Sequence, residues 1–192
     1  MNSQSTVKDI SDEDLISAIV KTNNTLLFEI LYDRYAGMVF NKCLGFAKDY
    51  EEAQDLTQDV FLKLFVKLAS FKGKSKFSTW LYAFTYNHCV NYVTRNKEKK
   101  IQKKTIEAKD IENLSEKEAD HSIHQLKVEK LKKVLNLISP NEKMILLLKY
   151  QDNLSIREIS EALDLGESAV KMRLKRAKEK LITVYQKHYE NG

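Results

Sequence analysis

The side chains best suited to a specific chemistry are cations that surround an apolar stripe near the end of the sequence. The stripe runs through Val170, Leu174, Ala177 and Leu181, whose spacing is that of one helix face. Lysine and arginine bind phosphates and guanine edges, and a helix fits the DNA major groove. The surrounding cations are Lys171, Arg173, Lys175, Arg176, Lys178 and Lys180. This pattern predicts a helix that binds duplex DNA.

A shorter helix is predicted just before the basic one. Ser155 stands ahead of its apolar residues and Glu158 follows three residues later, which is the pattern of a reciprocal helix cap. Gly166 is expected to take the left-handed conformation that ends this helix, and the basic helix should begin near Glu167 or Ser168. Two helices joined by so short a turn predict a helix-turn-helix. A helical hairpin with a solvated basic face is the alternative.

A second cationic segment combines a loop with aromatic residues. The loop 71–77 has three lysines around one glycine and a phenylalanine at each end, and Ser78 is expected to cap the helix that follows. Cations follow the backbone of an unstacked strand while rings receive its bases, so the segment favours single-strand binding. On the alternative interpretation, Trp80, Leu81 and Phe84 belong to the core. The aromatic and polar candidates on the helix are Trp80, Tyr82, Tyr86, Tyr92, Asn87, Asn91 and Arg95.

An acidic surface is predicted on the helix that follows Asp49, which forms a cap-like pair with Glu52. The buried stripe of this helix consists of Ala53, Leu56, Val60, Leu64 and Leu68, with Phe61 beside it. The residues on the outer side are Gln54, Asp55, Gln58, Asp59 and Leu62. This face either docks a basic partner protein or is simply solvated.

The composition predicts an all-α chain of two small domains. With 192 residues, 43% hydrophobic content, one proline and five glycines, the chain suits long helices around two cores. Further helix starts are predicted at Ser11 and at Ser139, and a long helix from Thr25 to about Lys48. The first domain is predicted at 1–98, a flexible acidic linker at 99–121, and the helix-turn-helix domain at 122–192.

Several classes of function are disfavoured by what the sequence contains. Apolar runs fall short of the roughly 20 residues of a membrane helix, and no secretion signal precedes the first domain, so a cytoplasmic location is expected. Cys43 and Cys89 lie in apolar patterns, which is typical of reduced core residues. The sequence shows no metal-ligand spacing, no phosphate-binding glycine loop and no nucleophile beside a base. We therefore expect no catalytic residue, metal or cofactor. The positive charge gathered near residues 95–104 and 171–180, more than the net charge of +5, favours nucleic acid as partner.

Three segments in this order closely resemble the bacterial extracytoplasmic-function sigma factors, which are small two-domain sigma subunits of RNA polymerase. They are DLTQDVFLKLF at 55–65, FKGKSKFSTWLYAFTYNHCVNYV at 71–93 and LSIREISEALDLGESAVKMRLKRAKEKL at 154–181. The resemblance covers the chain from about Leu26 to Leu181. It implies an all-α fold with a sigma region 2 domain and a sigma region 4 domain, and a role in transcription initiation.

The resemblance also assigns roles within the first domain. The acidic outer face, Gln54, Asp55, Gln58, Asp59 and Leu62, would dock on the coiled coil of the largest polymerase subunit. The loop would take up a flipped base of the minus-ten element, and capture of the unpaired strand would open the duplex without hydrolysis. The minus-ten residues implied are Phe71, Lys72, Gly73, Lys74, Ser75, Lys76, Phe77, Trp80, Tyr82, Tyr86, Asn87, Asn91 and Arg95.

In the second domain, the resemblance implies recognition of the minus-thirty-five element. The residues implied are Ser155, Ser168, Ala169, Lys171, Met172, Arg173, Lys175 and Arg176, with Arg173 on a phosphate. Met172 stands where the family often has serine. The apolar helix from Met144 to Leu148 would help to form a surface for the polymerase flap, and linker residues 99–121 would lead toward the active cleft. A separate anti-sigma factor is the usual family arrangement.

A freestanding helix-turn-helix regulator is the competing interpretation. Such a protein binds its operator without polymerase and usually as a dimer. Its first domain would then sense a ligand or dimerise, which leaves the basic aromatic loop and the acidic face without an explanation. A sigma factor instead needs core polymerase to become specific, so the two classes differ in a simple binding experiment.

Overall fold

The structure is a computed structural model that describes residues 10–104 and 123–189. Within those ranges every regular element is helical and no residue lies in a β-strand, in agreement with the all-α prediction. A 3-10 turn at Leu68–Ser70 follows α3, and a π-helical turn at Leu147–Gln151 follows α6. The α-helices are α1 Asp12–Thr22, α2 Thr25–Leu44, α3 Tyr50–Lys67, α4 Phe77–Lys104, α5 Ile123–Leu137, α6 Pro140–Leu146, α7 Ile156–Leu163 and α8 Glu167–Tyr189.

Side-chain caps explain where most of these helices begin. The Ser11 hydroxyl accepts a hydrogen bond from the Asp14 N–H at 3.1 Å, and the Asp49 carboxylate accepts one from the Glu52 N–H at 2.8 Å. Ser139 forms a reciprocal capping box with Glu142, and Pro140 occupies the first helical position. Each cap satisfies N–H groups that have no partner inside the helix. These three predicted starts are confirmed.

The predicted boundaries of two helices, α4 and α2, differ from those in the structure. Helix α4 begins at Phe77, one residue before the expected cap Ser78, and it continues to Lys104. Residues 99–104, which the sequence pattern assigned to the linker, are therefore helical. Helix α2 ends at Leu44 rather than near Lys48, because a turn at Gly45 precedes the Asp49 cap of α3. The remainder of the predicted linker, 105–121, lies outside the described residues.

The chain divides into two compact units. The first comprises residues up to Cys89 together with Leu154–Gly166, and the second comprises Val90–Asn153 together with residues from Glu167 onward. In the first unit α2 packs against α1 and α3. Its fully buried side chains include Leu15, Leu31, Val39, Leu56, Val60, Leu64 and Leu81. The predicted domain boundaries at 98 and 121 follow the sequence pattern and stay a prediction.

Both cysteines belong to the core of the first unit. Cys43 and Cys89 are free and fully buried. The Cys89 thiol donates a hydrogen bond to the Cys43 sulfur at 3.8 Å, and this bond lowers the pKa of Cys43 while burial opposes it. Their burial agrees with the prediction that they are core residues.

In the second unit α8 packs against both α5 and α6. The predicted apolar segment after Ser139 is indeed buried, and it includes Lys143, whose ammonium group donates a hydrogen bond to the Asn136 side chain. The π-helical turn after it is closed by the Asp152 N–H, which donates to the Leu147 carbonyl at 3.0 Å. The buried apolar side chains of this unit include Val134, Ile138, Met144, Ile145, Leu146, Leu148, Val170, Leu174 and Ala177.

Candidate nucleic-acid interface

The basic loop of the first unit is held by an aromatic cluster. Gly73 has a φ of +64°, a conformation that glycine adopts without steric cost. The Phe71 ring lies 5.4 Å from that of Phe77 and 5.5 Å from that of Trp80, measured between centroids. Phe77 is buried and Ser75 is partly buried, whereas the loop lysines Lys72, Lys74 and Lys76 are exposed. The cluster thus fixes the loop while its cations face solvent.

One exposed stripe on α4 continues from this loop. Trp80 and Phe84 are partly exposed and stacked, with centroids 5.2 Å apart and planes at 25°. Asn87, Asn91 and Arg95 are exposed and follow at spacings of three or four residues, so they lie on the same helix face. The structure therefore brings together the loop cations, two ring surfaces and two amides. Phe84, which the alternative interpretation placed in the core, is a further candidate on this stripe, and its spacing from Trp80 was a usable signal.

Tyr82 and Tyr86 do not share this stripe. Lys42 of α2, itself only 4% exposed, places its ammonium nitrogen 3.9 Å from the Tyr82 ring centroid and 4.8 Å from that of Tyr86. It also donates a hydrogen bond to the Tyr86 hydroxyl at 3.4 Å. Such cation–π contacts are worth about 2 kcal/mol or more when desolvated. Phe77 and Tyr86 are both buried, so neither presents a surface to DNA in this structure, and their minus-ten contact stays a prediction.

The predicted acidic face of α3 is exposed along its length. Asp55, Gln58, Asp59 and Leu62 share one side of the helix, and Gln54 lies at its flank. Leu62 is 69% exposed, and Val66, one turn further along the same side, is 75% exposed. Two such apolar side chains in water next to carboxylates are typical of a surface that binds another protein. Val66 was missed, although its spacing from Leu62 was visible in the sequence.

A histidine from α4 borders this acidic face. The Lys63 ammonium nitrogen lies 3.1 Å from His88 Nδ1, and Asp59 Oδ2 lies 3.9 Å from His88 Nε2. His88 therefore lies between the Lys63 ammonium group and the Asp59 carboxylate at the edge of the face. Sequence reasoning could not identify it, because the contact joins residues 25 positions apart on two helices.

The basic helix of the second unit is α8. Val170, Leu174 and Ala177 are buried, and the residues between them are exposed. Lys171 lies 4.0 Å from Glu167, and Lys175 lies 3.9 Å from Glu179. These ion pairs are solvent-exposed and contribute little, so they leave the cations available to phosphates. The exposed predicted residues of α8 are Ser168, Ala169, Lys171, Met172, Arg173, Lys175 and Arg176.

The helix before α8 begins as predicted but ends differently. Ser155 and Glu158 form the reciprocal cap of α7, so the Ser155 hydroxyl accepts the Glu158 N–H at 3.1 Å. The left-handed residue is Asp164, with a φ of 52°, and not Gly166. Aspartate tolerates this conformation better than most residues, and Asp164 donates its N–H to the Ser160 carbonyl. Gly166 instead directly precedes the first residue of α8.

Two cavities flank α8 in the second unit. One, of about 400 Å³, is lined mainly by apolar side chains of α5, α6 with its π-helical turn, and α8: Leu131, Leu135, Leu146, Leu147, Tyr150, Gln151, Lys178, Leu181 and Ile182. The other, of about 370 Å³, is lined by Arg173 and Arg176 of α8 and by Asn141, Glu142, Met144 and Ile145 of α6. Within the segment Met144–Leu148, Met144, Ile145 and Leu148 are core residues, while Leu146 and Leu147 line the first cavity.

The part of the chain that the structure describes contains neither a metal-binding cluster nor a membrane-spanning helix. Among these residues no group of three or more His, Cys, Asp or Glu side chains is placed to hold a metal ion. No helix within the described ranges is long and apolar enough to span a bilayer.

Comparison with known proteins identifies two segments of the chain. Residues 31–99 match the family model Sigma-70 region 2, and residues 129–181 match Sigma-70, region 4. The chain is 31% identical to RNA polymerase sigma factor YlaC of Bacillus subtilis over 157 residues, which cover 80% of this chain and 88% of that protein. It is 28% identical to ECF RNA polymerase sigma factor SigW of the same species, over 84% of this chain and 90% of SigW.

A solved structure has the same fold. The sigma factor RpoE from Bartonella quintana, crystallised with the anti-sigma factor NepR, aligns with a TM-score of 0.59 at 19% identity. The alignment covers 83% of this chain and 96% of RpoE.

Regions 2 and 4 in one chain define a sigma-70-type transcription initiation factor. The region 2 match also explains the first domain, which the regulator interpretation left without a role. The chain belongs to the extracytoplasmic-function family of sigma factors, which associate with RNA polymerase and recognise promoters.

Proposed function

We propose that this sigma factor opens promoters with the surface formed by the basic loop and the exposed stripe of α4. The observation that carries the proposal is their continuity: three exposed lysines lead directly onto Trp80, Phe84, Asn87, Asn91 and Arg95. Lysines can follow the phosphates of a separated minus-ten strand, and stacking on a ring is worth about 1–3 kcal/mol per base. The amides of Asn87 and Asn91 offer donors and acceptors for base edges.

Strand capture would provide the free energy for opening. Unstacking a base costs a few kcal/mol, which the new stacking and phosphate contacts offset. This mechanism breaks no covalent bond, so we propose that the chain is not an enzyme and needs no cofactor. The buried residues Phe77 and Tyr86 would hold the loop and α4 in place without touching DNA.

The second unit would bind the minus-thirty-five element through α8. The exposed residues from Ser168 to Arg176 lie opposite or beside the buried stripe, as a helix in the major groove requires. Arg176 is assigned to a base edge and Arg173 to a phosphate. Ser155, at the start of α7, would contact the DNA backbone.

Two surfaces would bind the polymerase itself. The acidic face of α3, extended to Val66, would dock on a basic coiled coil of the largest subunit. The apolar cavity between α5, α6 and α8 would receive the flap. We also propose that an anti-sigma factor controls the chain in the cytoplasm, as the complex of RpoE with NepR indicates for that relative.

The opening surface is tested by the Lys74→Ala/Lys76→Ala variant. On promoter DNA with purified core polymerase, we expect permanganate reactivity of melted thymines to fall at least about tenfold, because two phosphate contacts are lost. Association with core polymerase should be unchanged. Lys21→Ala, which removes an exposed lysine from α1, is the matched control. Normal opening by the double variant would contradict the proposed surface.

A further inference from the structure

An exposed methionine lies at the centre of the cationic face of α8. Met172 is 51% exposed and stands two residues from each of the buried Val170 and Leu174, so it points away from the unit. Lys171 and Arg173 flank it in sequence, and Lys175 follows one turn later. It is the sixth residue of a helix that begins at Glu167, and the first turns of a recognition helix reach base edges.

Folding does not explain an apolar side chain at this position. About half of Met172 stays in water, so its burial stabilises the unit only weakly. Its thioether donates no hydrogen bond and accepts only weakly, so it cannot read guanine as the adjacent cations can. A flexible, polarizable side chain is suited instead to packing on a small apolar group.

The major groove offers one such group. Among the four bases only thymine presents a methyl group there, at C5, and apolar side chains recognise it by contact. Small neighbours one turn earlier, Ser168 and Ala169, leave room for close approach of the helix. We propose that Met172 specifies thymine in the minus-thirty-five element by packing on its C5 methyl group. This proposal rests on the proposed binding of that element by α8.

Replacing thymine by uracil tests the contact, because uracil lacks the methyl group and keeps the same hydrogen-bonding atoms. Holoenzyme is assembled from core polymerase and the full chain, and each thymine of the minus-thirty-five element is replaced singly. We expect one replacement to weaken promoter binding about fourfold, the factor for one methyl-sized group. The Met172→Ala variant should bind the thymine and uracil promoters equally well.

Met38→Ala is the matched control, since Met38 is also exposed, at 38%, but lies on α2. This variant should keep the preference for thymine. The proposal is overturned if wild-type holoenzyme ignores every uracil replacement, if Met172→Ala keeps the full preference, or if the element contains no thymine. A loss of core association in Met172→Ala with thymine preference intact would assign the residue to a protein contact instead.

The same experiment separates this proposal from the proposed function. Specific starts on unmodified promoter DNA that depend on the minus-thirty-five element report on the function of α8. The ratio between the holoenzyme's affinities for the thymine promoter and for the uracil promoter reports on Met172 alone. If the transcription starts depend on the minus-thirty-five element and the affinity ratio is one, only the methionine contact is wrong. If no starts depend on that element, both proposals are wrong.

Discussion

Tyr35 of α2 connects the first two helices through one carboxylate. Its hydroxyl donates a hydrogen bond to Asp12, which also pairs with Arg34 at 2.8 Å. Burial, the hydrogen bond to Asp12 and the charge of that carboxylate raise the pKa of Tyr35 above its ordinary value. Because the neutral phenol is favoured in the folded chain, the stabilisation is present at neutral pH. It is lost as the pH rises above about 10, where tyrosine in the unfolded chain ionises.

The Tyr35→Phe variant tests this contact. We expect a loss of about 1–2 kcal/mol in the free energy of unfolding at pH 7, since the hydrogen bond has a charged acceptor. The difference from the wild type should narrow above about pH 10, because phenylalanine does not titrate. Urea unfolding at several pH values measures it, with the exposed Tyr50→Phe as control. A difference that stays constant with pH would contradict the assignment.

Individual residues of α4 show which parts of the candidate site could be predicted from the sequence. The period of α4 places Trp80, Asn87, Asn91 and Arg95 on one face, and that could be predicted from spacing alone. The same period puts Tyr82 and Tyr86 on another face of α4. As tyrosines in a basic segment, they nevertheless resemble the aromatic residues on which single-stranded bases stack. Their partner, Lys42, comes from another helix, and no local pattern identifies a contact of that kind.

At the scale of elements, the turn between α7 and α8 depends on Asp164 rather than Gly166. Both are turn-forming residues, and the sequence does not say which of them is left-handed. Gly166 does not have a positive φ, and a side chain added there meets no atom within 4 Å. It stands directly before the first residue of α8, where serine is a good cap.

A pair of substitutions distinguishes the two residues. Gly166→Ser should leave the free energy of unfolding unchanged or raise it by a few tenths of a kcal/mol, because serine can cap α8. Asp164→Ala should lower it by about 1 kcal/mol, since alanine tolerates the left-handed conformation poorly. Urea unfolding midpoints measure both effects. If Gly166→Ser lowered the free energy of unfolding more than Asp164→Ala did, Gly166 would be the left-handed residue.

The proposed docking role of the acidic face of α3 is tested by reversing one of its charges. Asp55→Arg reverses one charge in the middle of an exposed face, and we expect at least about tenfold weaker association with core polymerase because like charges would meet. Helix content by circular dichroism should not change. Asp33→Arg, the same substitution at an exposed site on α2, is the control. Equal affinity of the two variants would refute the docking face.

Across the whole molecule, the placement of charge explains more than its sum. A net charge of +5 describes a mildly basic protein, yet exposed cations concentrate on the basic loop and on α8, while α3 presents carboxylates. One chain thereby carries surfaces of opposite sign, which we assign to nucleic acid and to a basic protein. Binding through phosphates should weaken steeply as salt is raised, so salt must be controlled in every comparison.

At the scale of the whole molecule, local signals in the sequence predict helices but not the arrangement of helices around a cavity. Helical periodicity and caps predicted most of the helices, because these signals lie within a few residues of one another. The cavity beside α8 depends on three helices and a π-helical turn, and no local signal predicts such a turn. The domain boundaries at 98 and 121 stay a prediction, although α4 reaches Lys104.

Transcription by purified bacterial core polymerase on a pool of promoter fragments, with and without this chain, is the most direct test of the central claim. At moderate salt we expect specific start sites that appear only when the chain is present, and the selected fragments should share two promoter elements. The chain alone should bind duplex promoters poorly. If core polymerase gains no starts while the chain by itself retains particular duplexes, promoter recognition through polymerase is contradicted.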